Sequence, residues 1–298
     1  MTVRIGTSEL GGTFSLQGTA LTAPLLRKGY EVEIFPSGGA SVASAEGLHD
    51  DTLDFGFSAA NWVGRAMRGE EPFSQPIDIR MVGPANVGPM FFVVRADSLL
   101  RTIDDMRGRR VSVNLRDSGM IQHVYNIFGA LGLSFDAFEP VYLNFADGAE
   151  ALRAGAIDAQ WQCPIPNPVM TNLADSTDVR VLEYGPGQLE TVLGRFGVYR
   201  RAVMEKGCFR GVDRDTAQVG VFNVITTHAR TDPAVVYDLA SAMVANAREL
   251  GETQPLFRGL EALYAELGTA GQSVFEPDGV PLHPGALLAY RDAGLLPP

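Results

Sequence analysis

The chain has 298 residues, 46% apolar and 20% charged, with a formal net charge of −11. This is the composition of a globular protein long enough for one large domain or two medium ones. The acidic balance argues against nucleic acid, since no Lys/Arg cluster appears beyond the short run Arg107–Arg110, and no apolar stretch approaches a membrane span, so direct membrane insertion is not expected.

In chain order, Val3–Ile5 predicts a strand and the run from Phe14 to Arg27 a helix, with "GTSELGGTF" between them. This turn fits neither nucleotide signature. Gly6 and Gly11 have the P-loop gap, but Gly12-Thr13 stands where Lys-Ser/Thr is needed, and Ser8 breaks the dinucleotide G-x-G. What remains is a turn with small hydroxyl residues and free amides, suited to a carboxylate or serving only as a βα connection. Glu31–Phe35, Leu53–Phe57, Ile79–Gly83 and Met90–Arg95 predict further strands, with a helix over Val42–His49.

The pattern then restarts. Val111–Val113 predicts a strand, Met120–Leu131 a helix, Val141–Asn144 a strand, and Asp147 the N-cap of a helix over Ala149–Ala154. "AEGLHDDTLDFGFS" (45–58) matches "AEALRAGAIDAQWQ" (149–162), pairing Leu48 with Leu152, Asp54 with Asp158 and Phe57 with Trp161. This predicts two similar α/β lobes, with lobe I as 1–92 plus 223–298 and lobe II as 93–222. The last third predicts a strand over Val219–Thr227, helices over Pro233–Leu250 and Leu256–Leu267, and one more within Val280–Leu296.

Ligands of open parallel sheets bind beyond the C-terminal strand ends. The expected ligand-binding set is therefore Ser8, Gly11, Gly12, Thr13 and Phe14 after the first strand, Ser37, Gly38, Gly39 and Ser41 after the second, and Ser58, Asn61 and Trp62 after the third. In the second lobe it is Ser118, Gly119 and Met120, preceded by Asp117, with Gln160, Trp161 and Gln162. Hydroxyls, glycines and helix N-termini suit a small organic acid held by dipoles and amides, with Phe14, Trp62 and Trp161 as apolar walls.

Catalysis has weaker support. "GFSAA" (56–60) loosely resembles a nucleophile elbow, but neither His228 nor His283 has the context of a general base, and His123 reads as a helix-face residue behind the Ser118-Gly119 turn. No catalytic residue, metal or cofactor is expected: the four histidines stand alone and Cys163 and Cys208 form no CxxC.

"IGTSELGGTF", "EVEIFPSGGASVASAEGL", "LDFGF", "FFVVRADS", "IDDMRGRRVSV", "DSGM", "ALRAGAIDAQW" and "GVPLHPGALLAYRDAGLL" together resemble TAXI-type solute-binding proteins of tripartite ATP-independent periplasmic (TRAP) transporters, over nearly the whole chain. The resemblance implies an α/β type II periplasmic-binding-protein fold, two hinged lobes closing on a small carboxylate, and delivery to a TRAP-type membrane permease. It implies a periplasmic location if an export signal was trimmed, and a cytoplasmic one if the chain as written is complete. An intracellular enzyme or sensor on the same fold is the alternative. Phe14-Ser15 stands where the family has two tyrosines, Ala59-Ala60-Asn61 stands near its Gln-Ser-Asp, and Met120 replaces a threonine. These departures favour an acid less polar than glutamate.

Overall fold

The computed structural model describes residues 1–116, 118–162 and 164–297, so the expectations at Asp117 and Cys163 lie outside the described residues. Two compact units emerge, one of residues 1–87 with 222–298 and one of 88–221.

The first unit opens with β1 (Thr2–Ser8), α1 (Thr13–Arg27), β2 (Glu31–Ser37), α2 (Ala40–His49), β3 (Phe55–Ala59) and α3 (Ala60–Arg68). β1 pairs in parallel with β2 and β3, placing Ser8 beside Ser37. α1 buries Phe14, Gln17, Leu21, Pro24 and Leu25, the 3–4 spacing of a helix lying on a sheet. Leu21 and Leu25 are fully buried, and each contributes about 2 kcal/mol by leaving water.

β4 (Ile79–Arg95) is one 17-residue strand that begins in the first unit and ends in the second. The sequence predicts two strands there, because Pro84 and Pro89 read as breaks. Proline's fixed φ is compatible with extended backbone, so the run continues through both.

The second unit continues with β5 (Arg110–Ser112), α4 (Gly119–Ala130), β6 (Glu139–Val141), α5 (Phe145–Arg153), β7 (Ala159–Gln162), α6 (Pro168–Ser176), β8 (Val179–Val181), α7 (Gln188–Arg195) and β9 (Tyr199–Met204). β5 is flanked in parallel by β6 and β7, β7 pairs antiparallel with β4, and β8 also pairs with β4. One face of this sheet packs Phe91, Val93, Leu152, Ile157, Met170 and Leu173. On the other face Phe92 meets Trp161 at 4.6 Å and Phe128 at 5.7 Å. α5 is capped by Asn144, which accepts from the amide of Asp147 at 2.8 Å, rather than by Asp147 as predicted. The cap lies earlier because Asn144 also has an acceptor oxygen and the extended backbone that capping needs.

β10 (Thr216–His228) pairs with β9 through residues 216–221 and returns the chain to the first unit, where Asn223–Thr226 lie against β3. α8 (Pro233–Ala245), α9 (Ala247–Thr253), α10 (Leu260–Ala270) and α11 (Pro284–Asp292) complete it. The single helix predicted over 233–250 breaks at Asn246, whose side chain donates to the carbonyl of Ala242 at 2.6 Å and accepts from Arg27 at 2.7 Å. A local side-chain bond of this kind competes with the helical ladder.

The repeat seen in the sequence has a three-dimensional counterpart. Asp54 accepts from the Arg4 amide at 2.8 Å and from Nε and Nη2 of its guanidinium at 3.0 and 2.8 Å, and its own amide donates to the Arg4 carbonyl at 2.9 Å. Asp158 does the same with Arg110, at 2.8 Å from the amide, 3.2 and 3.0 Å from the guanidinium, and 2.8 Å in return. In each case the arginine also donates to a carbonyl three residues before the aspartate, at Asp51 and at Gly155, both of which have left-handed φ. Behind each clamp the packing is exchanged. In the first unit a Cβ on either strand residue Gly6 or Gly56 would meet helix residue Ser44, whereas in the second a Cβ on helix residue Gly148 would come within 2.5 Å of strand residue Gln160.

Candidate functional site

In the first unit α1, α2 and α3 each follow the C-terminal end of a parallel strand. None of the three has a side-chain N-cap, and none has an acidic residue in its first turn. No N-cap side chain therefore accepts from their first-turn amides, although in α1 Ser8 takes the Ser15 amide, and each terminus carries partial positive charge. α4, α5 and α6 in the second unit are by contrast capped by Ser118, Asn144 and Asn167.

The loops before these helices are braced by hydroxyls. Ser8 accepts from the Ser15 amide at 3.3 Å, Ser37 from the Gly39 amide at 3.2 Å, and Ser41 from the Ala59 amide at 3.1 Å. A Cβ on Gly12 would lie 2.5 Å from the Ser8 hydroxyl, so that approach requires glycine. Gly39 is right-handed at φ −75°, ψ −12°, and Ala40 follows at φ +42°. Successive right- and left-handed residues turn their amides toward one point, the backbone arrangement known as an anion nest, and with the Gly39 amide taken by Ser37 those of Ala40 and Ser41 are the ones it offers. The left-handed conformation costs alanine about 1–2 kcal/mol.

Ser8, Gly11, Gly12, Thr13, Ser37, Gly38, Gly39, Ser41, Asn61 and the junction of β3 with α3 at residues 58–60 thus occupy the C-terminal strand ends of one unit. Asn61 contributes a buried Oδ1 with no partner. Other expected residues serve the core. Phe14 is 8% exposed and stacks on Phe57 at 5.6 Å. Ser58 is buried and its hydroxyl donates to the Ala59 carbonyl at 3.1 Å, so it makes no nucleophile elbow. Trp62 is largely buried, with the Arg65 guanidinium 5.3 Å over its ring.

In the second unit the expected residues do not share a face. Gln160 donates to the Phe145 carbonyl at 2.8 Å on the α5 side, and Gln162 donates to Gln160 at 3.2 Å. Trp161 points to the opposite side, against Phe92, with its buried Nε1 unpartnered. The Ser118 hydroxyl donates to the Leu115 carbonyl at 2.8 Å and caps α4. Gly119 and Met120 form that helix's first turn.

The sequence missed a buried polar cluster behind this turn. Tyr199 Oη lies 2.9 Å from both His123 Nδ1 and Asn126 Nδ2. His123 and Asn126 are one helical turn apart, a legible spacing, but nothing marked Tyr199 as their partner. Burial pushes the His123 imidazole down to about 4. Its folded value lies below the unfolded one, so its contribution is complete above pH ~6.5 and declines as pH falls, because the unfolded chain takes up the proton first. We predict that unfolding free energy drops by about 3 kcal/mol between pH 6.5 and 4 from this residue alone. Urea midpoints measured across that range should show His123→Gln lacking that part of the slope; an unchanged slope would remove the residue from the account.

A cavity of about 340 Å³ opens elsewhere in the second unit, lined in part by Glu183, Tyr184, Glu190, Arg214 and Asp215. Its arginine is already engaged: Arg214 pairs with Glu183, Arg201 from outside the lining pairs with Glu190, and Asp215 accepts from the Lys206 amide. Both arginines are thus engaged and, among the described residues, the Asp215 carboxylate has no cation beside it, so these walls repel an anion and leave the helix termini as the better candidate. Among the described residues no group of three or more His, Cys, Asp or Glu could hold a metal ion. No described helix is long and apolar enough to cross a membrane.

Parallel strands feeding helices in each unit, with two long strands running from one unit into the other, define a periplasmic-binding-protein-like α/β fold, and solved structures agree. A protein assigned as the periplasmic sulfonate-binding protein SsuA of Methylobacillus flagellatus is 15% identical, covering 99% of this chain and 95% of its own, with a TM-score of 0.58. The periplasmic aliphatic sulphonate binding protein SsuA of Escherichia coli is 19% identical over 100% and 84%, at a TM-score of 0.50. A double mutant of the BvgS VFT2 domain of Bordetella pertussis is 14% identical over 86% and 93%, at 0.54. Within this fold the chain belongs to the NMT1-like family, which matches residues 5–294.

Proposed function

We propose that the chain is a solute receptor that binds a small organic acid, chemically unchanged, and presents it to a membrane permease. One observation carries the reading: three consecutive helices begin at adjacent parallel strand ends with no bond from an N-cap side chain and no first-turn acid. Partial positive charge from three termini, together with the Gly39–Ala40 nest, favours an anion without a dedicated ion pair. The periplasmic setting, the TRAP-type permease and the preference for an acid less polar than glutamate rest on the family-like motifs and on the apolar departure at Met120. The SsuA proteins of similar fold are named for binding sulfonates, which share the anionic head, so sulfonates belong in any ligand panel.

Native mass spectrometry of the purified protein, followed by denaturing release, tests this. A small acid recovered intact at one-to-one stoichiometry is the expected result. An empty protein with no thermal shift across carboxylates and sulfonates would overturn the reading.

A further inference from the structure

Arg116 lies in the turn between β5 and α4, with its guanidinium carbon 3.6 Å from the centroid of the Tyr142 ring. Tyr142 directly follows β6, whose Val141 is the register partner of Ser112 and accepts from the Val113 amide at 3.1 Å. The pair therefore sits just beyond the C-terminal ends of two parallel strands, where open α/β sheets take ligands.

The turn that presents Arg116 is fixed at both ends. Asn114 is 6% exposed at φ +74°, and its Oδ1 accepts from the Leu115 amide at 2.7 Å. The Ser118 amide and hydroxyl both donate to the Leu115 carbonyl, at 3.1 and 2.8 Å. Asparagine adopts the left-handed region readily, and its bond to the Leu115 amide holds the start of the turn in place.

The chain has 35 acidic side chains against 24 basic ones, and Arg4, Arg95, Arg110 and Arg153 each hold a carboxylate. Among the described residues none pairs with Arg116, whose contact is the tyrosine ring. Stacking occupies the flat face of a guanidinium and leaves its N–H fork open at the edge, the geometry that takes two oxygens of one acid group.

We propose that Arg116, backed by Tyr142, is a ligand-recognition residue of the second unit that binds a carboxylate or sulfonate through its N–H fork. This rests on the receptor reading above and gives the second unit a charged group of its own for the acid. Four probes test it on the full chain by calorimetry: 4-methyl-2-oxopentanoate, benzoate, glutamate and ethanesulfonate. The tightest wild-type carboxylate binder and ethanesulfonate are then measured against Arg116→Ala, Arg116→Lys and Tyr142→Leu at two salt concentrations. The expected result is a loss of at least tenfold for Arg116→Ala with a flattened salt dependence, a smaller loss for Arg116→Lys, and an intermediate one for Tyr142→Leu. A carboxylate and a sulfonate probe losing equally assigns the site to the shared anionic head, while unequal losses assign it to one of them. Unchanged affinity and salt slope in Arg116→Ala would overturn the assignment while leaving the receptor intact. Binding of none of the probes to the wild-type chain, together with an empty native mass spectrum, would overturn both.

Discussion

Asp54→Ala is expected to lower the unfolding free energy by about 2–4 kcal/mol, among the largest losses available outside the apolar core. The substitution leaves three donors behind: the Arg4 amide and two nitrogens of its guanidinium. Asp54 has a side chain only 14% exposed, so water replaces it poorly. Asp158→Ala removes the matching clamp, but there both side chains are more exposed, at 31% and 40%, and a loss of about 1–2 kcal/mol is expected. The Arg110 guanidinium and amide hold the Asp158 carboxyl below the usual carboxylate range. That stabilisation is therefore present above the ordinary carboxylate pKa and disappears as pH falls through the lowered folded value. Denaturant midpoints of the two variants at neutral pH check the ranking. A smaller loss for Asp54→Ala than for Asp158→Ala would show that burial does not set the worth of these clamps.

The largest expected effect on binding comes from Ala40→Pro. Proline cannot adopt φ +42° and has no N–H, so the substitution removes one amide of the nest and re-routes the start of α2. Affinity for the recovered acid should fall at least 100-fold. Ala40→Gly tolerates the left-handed conformation and keeps the amide, so binding should stay within about threefold of wild type. Calorimetry on both variants, with circular dichroism confirming that each is folded, separates the nest from general damage. A folded Ala40→Pro protein that still binds normally would remove residues 39–41 from the anion site.

The order of strands and helices was legible because apolar runs alternate with amphipathic ones, and the 45–58 and 149–162 match pointed to Asp54 and Asp158 by sequence alone. Arg4 and Arg110 were not legible as their partners, since the pairing depends on parallel register across about fifty intervening residues. Gln160 misled for a related reason. At a strand end it reads as a ligand residue, but it fills the space opposite Gly148 that the first unit fills with Ser44 opposite glycine strands. The loops after β1 and β2 were found as loops, but what sets them apart is the absence of caps on α1, α2 and α3. Many hydroxyl residues lie nearby, and only three-dimensional placement shows that none of them sits at an N-cap, Ser8 bonding the third residue of α1 and Ser37 and Ser41 the amides of Gly39 and Ala59. Arg116 was overlooked because a lone arginine beside Asp117 reads as a solvated charge, and its ring partner lies 26 positions further along the chain.

Residues 88–221 are one uninterrupted stretch, whereas the other unit needs residues 222–298 to finish what residues 1–87 begin. On a translating ribosome the two units therefore mature in the reverse of their order of appearance. The second has all its strands as soon as residue 221 clears the exit tunnel. The first has to wait with β3 unpaired along the edge that Asn223–Thr226 will occupy. An open, fully buried-type strand such as Phe55–Ala59 is a template for pairing with a neighbouring nascent chain. The stretch that seals this edge is made late, so the hazard lasts for most of synthesis. A holdase acting on this chain would have most to protect there, until residues 223–226 emerge.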